Sequence, residues 1–198
     1  MSKTRRQPDR HAFSLIESVI VLALIGLVIG GVWAASNSLM KNITVNRTIA
    51  GMVQIISNVR AMYARSSETA TVALANPTGM EMGIFRGADG YVLSPGGSRI
   101  ASPLRGTGTI VFVNYYPQSF TLPSGRVADN VIRLQYGGRI RQEDCVSFVA
   151  GVTSRFSANG SLMEFASTSS PAAVTTFPYI PTASECNPGA TMNFYFSF

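Results

Sequence analysis

An unbroken apolar run near the N-terminus constrains the fold of this chain more than any other feature. Residues 19–35 carry no polar side chain, and Lys41 is the only charged residue between positions 19 and 42. The wider segment 13–35 would form a helix about 35 Å long, enough to span the hydrocarbon core of a bilayer. Such a run argues against an ordinary cytoplasmic enzyme, and the 11 Phe and 7 Tyr of the chain argue against intrinsic disorder.

The positive charge of the chain is concentrated ahead of this run. Residues 1–12 contain four basic residues and one acidic residue, so they carry half of the formal net charge of +6. By the positive-inside rule, this basic N-terminal segment stays in the cytoplasm and the remainder of the chain is exported. Because the other basic residues form no cluster in the sequence, the sequence pI near 9.7 is weak evidence for binding to nucleic acid.

Glu17 is the one charged residue inside the proposed span. A carboxylate in a membrane-spanning segment costs about 2.5–3.5 kcal/mol on insertion scales, so it requires hydration or a partner. Two interpretations remain open from the residues alone. Glu17 lies near the interface and stays hydrated, or a positive group neutralises it when subunits pack together.

The residues around Glu17 resemble the class III signal of type IV pilins and pseudopilins. Residues 10–17 read RHAFSLIE, and the apolar span follows directly. The resemblance implies that a prepilin peptidase cleaves between Ala12 and Phe13 and methylates the new amine of Phe13. It also implies that Glu17, the fifth residue of the mature chain, pairs with that amine in a neighbouring subunit. One departure is that the family prefers Gly before the cut, where this chain has Ala12.

An ordinary secretory signal is the alternative to a prepilin leader. The small residues around Trp33 suit signal peptidase, which would release a soluble protein beginning at Ala35. Glu17 is a poor residue for the apolar core of such a signal. A plain single-pass anchor is a further alternative.

A helical pattern continues beyond the apolar run. Apolar residues recur at three- and four-residue steps, namely Leu39, Ile43, Ile49, Met52, Ile56, Val59 and Tyr63. Because no Pro occurs between positions 13 and 76, the pattern predicts one helix over residues 13–65, about 80 Å long. Its first half is expected to protrude and its second half to pack on a globular head. Gly26, Gly30 and Gly31 lower helix propensity and mark positions of close packing or local unwinding.

The rest of the chain reads as a head of strands with one helix. The strongest strands, at residues 109–116, 119–122 and 131–136, predict an antiparallel meander. Residues 82–85 and 91–93 flank residues 86–90, which read as a turn or a hairpin connection, and residues 94–97 and 101–108 read as loops. Apolar spacing predicts a second helix over residues 144–156, followed by a turn at Asn159-Gly160 and a final strand over residues 191–198.

The two cysteines of an exported chain predict one disulfide. Cys145 and Cys186 lie outside any C-x-x-C pattern, and two free buried thiols are the alternative. The C-terminal half also resembles the type IVb pilins, in which a Cys opens a helix, an Asn-Gly turn follows, and a second Cys precedes the terminal strand. Residues 108–113, 119–122 and 143–146 are the local matches.

The sequence lacks the residues that common enzyme chemistry requires. The only histidine, His11, lies in the proposed leader, so no Ser-His or Cys-His pair and no imidazole for a metal would remain. The acidic residues are scattered, with no calcium-ligand spacing. We therefore expect no catalytic site, no metal and no cofactor, and no specified contact with nucleic acid.

The predicted fold class is α+β, with a long N-terminal helix packed on an antiparallel sheet and a C-terminal disulfide loop. The predicted segments are a cleaved leader (1–12), a transmembrane and polymerisation half-helix (13–35), an amphipathic half-helix (36–66) and a head (67–198). The expected function is a structural subunit of a type IV pilus, of the IVb group. A minor pilin or type II secretion pseudopilin is the alternative, and a secreted or anchored binding or enzymatic domain a more remote one.

The resemblance also implies partners and a location. The partners would be further copies of the chain, the prepilin peptidase, and the inner-membrane platform with its ATPase. The chain would cross the inner membrane once before assembly and lie in an extracellular filament afterwards.

Overall fold

The computed structural model describes residues 15–66, 69–94, 96, 99–104, 110–169, 172–187 and 189–198. By its internal contacts the chain divides after Met40 into two compact units, of which the second is Lys41–Phe198. The leader boundary at residue 12 lies outside the described residues. The boundaries predicted at residues 35 and 66 stay predictions.

The predicted long helix is confirmed. Helix α1 (Leu15–Tyr63) has 49 residues and no Pro. Its side chains up to residue 40 are exposed, whereas from Val45 onward one face is buried. The buried residues recur every three or four positions, as a helix that packs on one side requires: Val45, Thr48, Ile49, Gly51, Met52, Ile55, Ile56, Val59 and Tyr63.

The remaining elements are mostly short strands. In chain order they are β1 (Val72–Ala73), α2 (Pro77–Glu81), β2 (Val92–Leu93), β3 (Ile100–Ala101), β4 (Ile110–Tyr116), β5 (Phe120–Thr121), β6 (Val127–Ala128), β7 (Val131–Gly137), α3 (Gln142–Ser157), β8 (Leu162–Ser167) and β9 (Met192–Ser197). The main sheet has the strand order β2-β3-β4-β7-β9-β8, with β1 also paired to β4. All its pairs are antiparallel.

An aromatic cluster lies between α3 and the inner face of the sheet. Phe148 of α3 contacts Tyr136 of β7 and Phe194 of β9, with ring centroids 4.9 Å and 5.7 Å apart. Phe156 of α3 likewise contacts Phe196 of β9, with ring centroids 4.8 Å apart. Edge-to-face pairs of this kind contribute about 0.5–1.5 kcal/mol each beyond the area they bury. This packing positions α3 and therefore Cys145 in its first turn.

Of the two alternatives for the segment between residues 82–85 and 91–93, the hairpin is wrong and a turn is found. Residues 82–85 form turns after α2, and Val92–Leu93 pairs with Ile100–Ala101 instead. The reason lies on α1, where the amide nitrogen of Asn58 donates to the carbonyl oxygens of Ile84 and Arg86 at 2.8 Å and 2.9 Å. These carbonyls are thereby bonded to a side chain, so they do not join a strand.

Two other sequence interpretations need correction. Residues 119–122 do not extend a meander, because β4 pairs directly with β7 while β5 pairs with β6 in a separate two-stranded sheet. The loop predicted from residue 101 begins later, because Ala101 belongs to β3. Residues 105–109 of that loop lie outside the described residues.

The β5–β6 hairpin covers one part of the outer face of the main sheet. Its Leu122 packs in a cluster with Val131 of β7 and Tyr195 of β9. The hairpin is also bonded to β8. The carboxylate of Glu164, which is fully buried, accepts hydrogen bonds from the backbone nitrogen of Ser124 (2.9 Å) and from its hydroxyl. A buried carboxylate needs such donors to offset its lost hydration.

The contact between Ser124 and Glu164 yields a stability prediction. Ser124→Ala is expected to lower the free energy of unfolding by about 1.5–3 kcal/mol, because a buried charged acceptor loses one donor. Ser119→Ala is the matched control, since its hydroxyl bonds to Asp129 on the exposed side of the same hairpin. That change should cost under about 0.5 kcal/mol. Urea unfolding of the purified chain in detergent measures both, and equal effects would contradict the role of Glu164.

Candidate functional site

The N-terminal part of α1 has the length and composition of a membrane span. Its most apolar 18-residue window has a mean hydropathy of 2.6, and none of that window is buried. Leu15, Leu27 and Trp33 are 84%, 75% and 73% exposed. A continuous apolar surface of this size requires a bilayer or other protein surfaces around it.

Glu17 lies in the first turn of α1. Its side chain is exposed, beside Ile16, which is 71% exposed. Within the described part of the chain, the one ion pair joins Lys41 to Glu143 at 3.6 Å, so no cation there pairs with Glu17. The helix dipole favours a carboxylate in this position, by about 0.3–1 kcal/mol when exposed. In a bilayer or a dry filament, Glu17 would need a positive group from outside the described residues.

The three glycines of the span are accommodated in a continuous helix. A Cβ atom added at Gly26, Gly30 or Gly31 would meet no heavy atom within 4 Å. Contacts among the described residues therefore do not require glycine at these positions. Gly26 and Gly30 are four residues apart and share one helix face, a spacing that lets two helices in a membrane approach closely. Their predicted role in packing or unwinding stays a prediction.

The predicted cleavage site, Ala12 and Phe13, lies outside the described residues. Methylation of Phe13 and its pairing with Glu17 therefore stay predictions. The structure does describe the helix that begins at Leu15, two residues after the predicted new N-terminus.

The predicted disulfide is confirmed. Cys145 and Cys186 are bonded, with Cα atoms 5.7 Å apart, and both are buried. The bond joins the first turn of α3 to the segment that precedes β9. Sequence reasoning predicted this pair from the export signal and the count of two cysteines.

Polar contacts fix the same loop beside the disulfide, and sequence reasoning missed them. Glu185 accepts hydrogen bonds from the hydroxyl of Tyr179 and the backbone nitrogen of Thr182, both at 2.7 Å. Burial and the contact with Glu185 raise the pKa of Tyr179 to about 12, so its hydroxyl stays a donor at neutral pH. The hydroxyl of Thr153 on α3 bonds to the backbone of Tyr179. The loop is thereby attached to α3 at two points.

The described residues include no group of three or more His, Cys, Asp or Glu side chains that could hold a metal ion. Of the buried carboxylates, Glu164 and Glu185 are each occupied by hydrogen bonds from nearby groups. These contacts are structural. The expectation of a chain without enzymatic activity, metal or cofactor stays a prediction.

Comparison with known proteins adds one match. The family model of the prokaryotic N-terminal methylation motif matches residues 8–33, which include Ala12, Phe13, Glu17 and most of the apolar span. No curated protein and no solved structure matches the chain. The motif implies processing by a prepilin peptidase and a precursor anchored in the membrane. Over these residues the chain therefore carries the N-terminal methylation motif, which is the class III signal of type IV pilins.

Proposed function

We propose that the chain is a structural subunit of a type IV pilus of the IVb group, which polymerises through α1 into an extracellular filament. The observation that carries this proposal is the exposed apolar surface of α1, interrupted by a single carboxylate at Glu17. A helix that only anchors the chain has no use for an ionisable group there, because the carboxylate makes insertion less favourable. A helix that must align with neighbouring copies can use the charge of Glu17 to pair with one of them.

Cleavage between Ala12 and Phe13 would supply the partner of Glu17. The new α-amine has a reference pKa near 7.7–8.0, so it is largely protonated at neutral pH. In a dry filament core, an ion pair between this amine and Glu17 leaves neither charge buried alone. An axial stagger between neighbouring helices would make the pair intermolecular. The pair would then fix the register of each added subunit.

The glycines and the apolar side chains would contribute the rest of the helix–helix contact. Gly26 and Gly30 would allow close approach, and their low helix propensity would permit local unwinding in the filament. Before assembly the same surface would lie in the inner membrane. The prepilin peptidase would act there, and an assembly platform with its ATPase would then extract the subunit into the filament outside the cell.

Shear removal of surface filaments tests this function. The proposal predicts that the chain is a dominant protein of the sheared fraction and that deleting its gene removes the filaments seen by electron microscopy. Absence of the chain from the filament fraction would contradict the proposal. A trace amount at filament tips would instead indicate a minor pilin, and retention in the cell envelope a pseudopilin.

Processing by the peptidase provides a separate prediction. Ala12→Gly is expected to keep or speed the loss of the 12-residue leader, because the family prefers Gly before the cut. Ala12→Leu is expected to block it, because a bulky side chain does not fit where a small residue is required. Mass spectrometry of the membrane fraction measures both forms. Normal processing of Ala12→Leu by the same peptidase would show that the assigned site is wrong.

A further inference from the structure

The outer face of the main sheet has a part that the β5–β6 hairpin leaves open, and we propose that this part binds a carboxylated polysaccharide through Arg133 and Arg99. The proposal does not depend on filament assembly, because it rests only on residues of the second compact unit. The surface is called the open sheet face below, and its members are the exposed Arg99, the half-buried Phe112, Arg133 and Gln135, and the buried Asn193.

The strand register brings these residues together on one face. Phe112 of β4 lies opposite Gln135 of β7, and Gln135 lies opposite Asn193 of β9. Arg133 is two residues before Gln135 and therefore points to the same side of the sheet. Arg99 joins them from the start of β3, where its guanidinium lies 5.6 Å from the centre of the Phe112 ring.

Arg133 is held in one orientation by two neutral amides. Its Nε and Nη2 atoms donate to Oδ1 of Asn193 at 3.0 Å and 2.9 Å, and Nη2 also donates to Oε1 of Gln135 at 2.9 Å. Both amide oxygens belong to residues of the sheet itself, so the guanidinium plane is fixed by rigid elements. A fixed guanidinium loses little entropy when it binds a carboxylate.

The charge of Arg133 has no acidic partner within the described structure, where the one ion pair is Lys41–Glu143. The nearest carboxylate along the strands, Glu164, lies beyond Tyr195, and both of its oxygens accept bonds from Ser124. The hydrogen bonds of Arg133 to Asn193 and Gln135 use Nε and Nη2, so the two N–H groups of Nη1 are the donors left for a ligand. A half-buried, oriented cation with free donors is an anion site.

The ligand class follows from the neighbours of Arg133. The two N–H groups of Nη1 of Arg133 can donate to a carboxylate oxygen, and the amide nitrogen of Gln135 can donate to hydroxyl groups beside it. Arg99 covers the ring of Phe112, and Tyr195, which lies opposite Arg133, packs against Leu122 of the β5–β6 hairpin, so neither ring offers a stacking platform for nucleic-acid bases. Carboxylate and hydroxyl groups that repeat along a chain are the chemistry of a polyuronate.

Binding of polygalacturonate to the purified full-length chain in detergent tests the proposal, with neutral dextran and a DNA duplex as comparison ligands. Arg133→Gln and Arg99→Gln are each expected to weaken polygalacturonate binding about tenfold, which is the loss of one charge-assisted contact. Arg155→Gln is the matched control, because Arg155 is an exposed arginine on α3. It should change the affinity less than about twofold, as screened surface charges do.

Further variants separate a specific site from general charge or misfolding. Arg133→Lys keeps the charge but loses the guanidinium that Asn193 and Gln135 orient, so its affinity should fall between wild type and Arg133→Gln. Arg99→Gln alters an exposed residue, so it tests the site even if Arg133→Gln unfolds. Equal losses from Arg155→Gln, or dextran binding equal to that of polygalacturonate, would overturn the proposal. Tighter binding of the DNA duplex would identify a nucleic-acid surface and would overturn it as well.

Discussion

Cells that express only Glu17→Val should carry almost no filaments, although the chain is inserted, cleaved and folded. The substitution removes the carboxylate that the proposed assembly step uses and leaves the apolar span intact. Without the pair, the amine of Phe13 would enter the filament core uncompensated, and breaking one partner of a buried ion pair costs about 3–5 kcal/mol. Because each added subunit would carry this cost, assembly should be lost rather than reduced slightly.

Three measurements distinguish a loss of assembly from a loss of cleavage or folding in the Glu17→Val chain. Electron microscopy counts filaments, mass spectrometry verifies cleavage after Ala12, and oxidation of Cys145 and Cys186 verifies the folded head. Glu81→Gln is the matched control, because Glu81 is an exposed acid of α2 and has no part in the proposed pairing. It should assemble normally. Co-expression of Glu17→Val with wild type should restore some filaments, since a mixed fibre contains some intact pairs.

Wild-type numbers of filaments from Glu17→Val would contradict the pairing mechanism. Glu17→Gln distinguishes charge from hydrogen bonding, because the amide can still accept a bond but carries no charge. The proposed ion pair predicts a loss close to that of Glu17→Val. If both variants assemble, Glu17 is a hydrated residue at the membrane interface.

Loss of the disulfide should produce the largest decrease in head stability. The bond closes a loop of 41 residues. In the chain-entropy model, opening a loop of this length lowers the free energy of unfolding by about 4 kcal/mol. A typical domain is stable by only about 5–15 kcal/mol, so Cys145→Ala and Cys186→Ala chains should be partly unfolded and degraded in the cell.

The double variant Cys145→Ala/Cys186→Ala is the control for the single ones. If the crosslink accounts for the effect, the double variant should resemble each single variant in urea unfolding, because all three lack the same bond. A loss under about 1 kcal/mol in the double variant would contradict the role given to the crosslink. Reduction of the wild-type chain provides an independent comparison without any substitution.

The sequence predicted elements whose signals are local. Helix α1 was predicted because its apolar spacing and lack of Pro are read directly from the chain, and α3 because its apolar residues repeat at helical steps. The terminal strand β9 was likewise predicted from its own local sequence. The class III signal was found because Ala12, Phe13 and Glu17 lie within six consecutive residues.

The missed features depend on contacts between distant residues. The turn at residues 82–87 is fixed by Asn58, which lies 25 to 28 residues before the carbonyl groups that it bonds. Strand β8 was missed because it contains Glu164, a charged residue that is fully buried and bonded to Ser124, 40 residues earlier in the chain. The open sheet face could not be predicted from the sequence either, because Arg133 and Asn193 are 60 residues apart and meet only through the strand register.

The mature N-terminus of the chain in sheared filaments tests the central claim most directly. Tandem mass spectrometry of that band would identify the first residue and its modification. The account predicts a chain that begins at Phe13, with a methyl group on the α-amine and no leader. A chain that begins at Ala35, as an ordinary signal peptidase would leave it, or at an uncut Met1, would contradict the account.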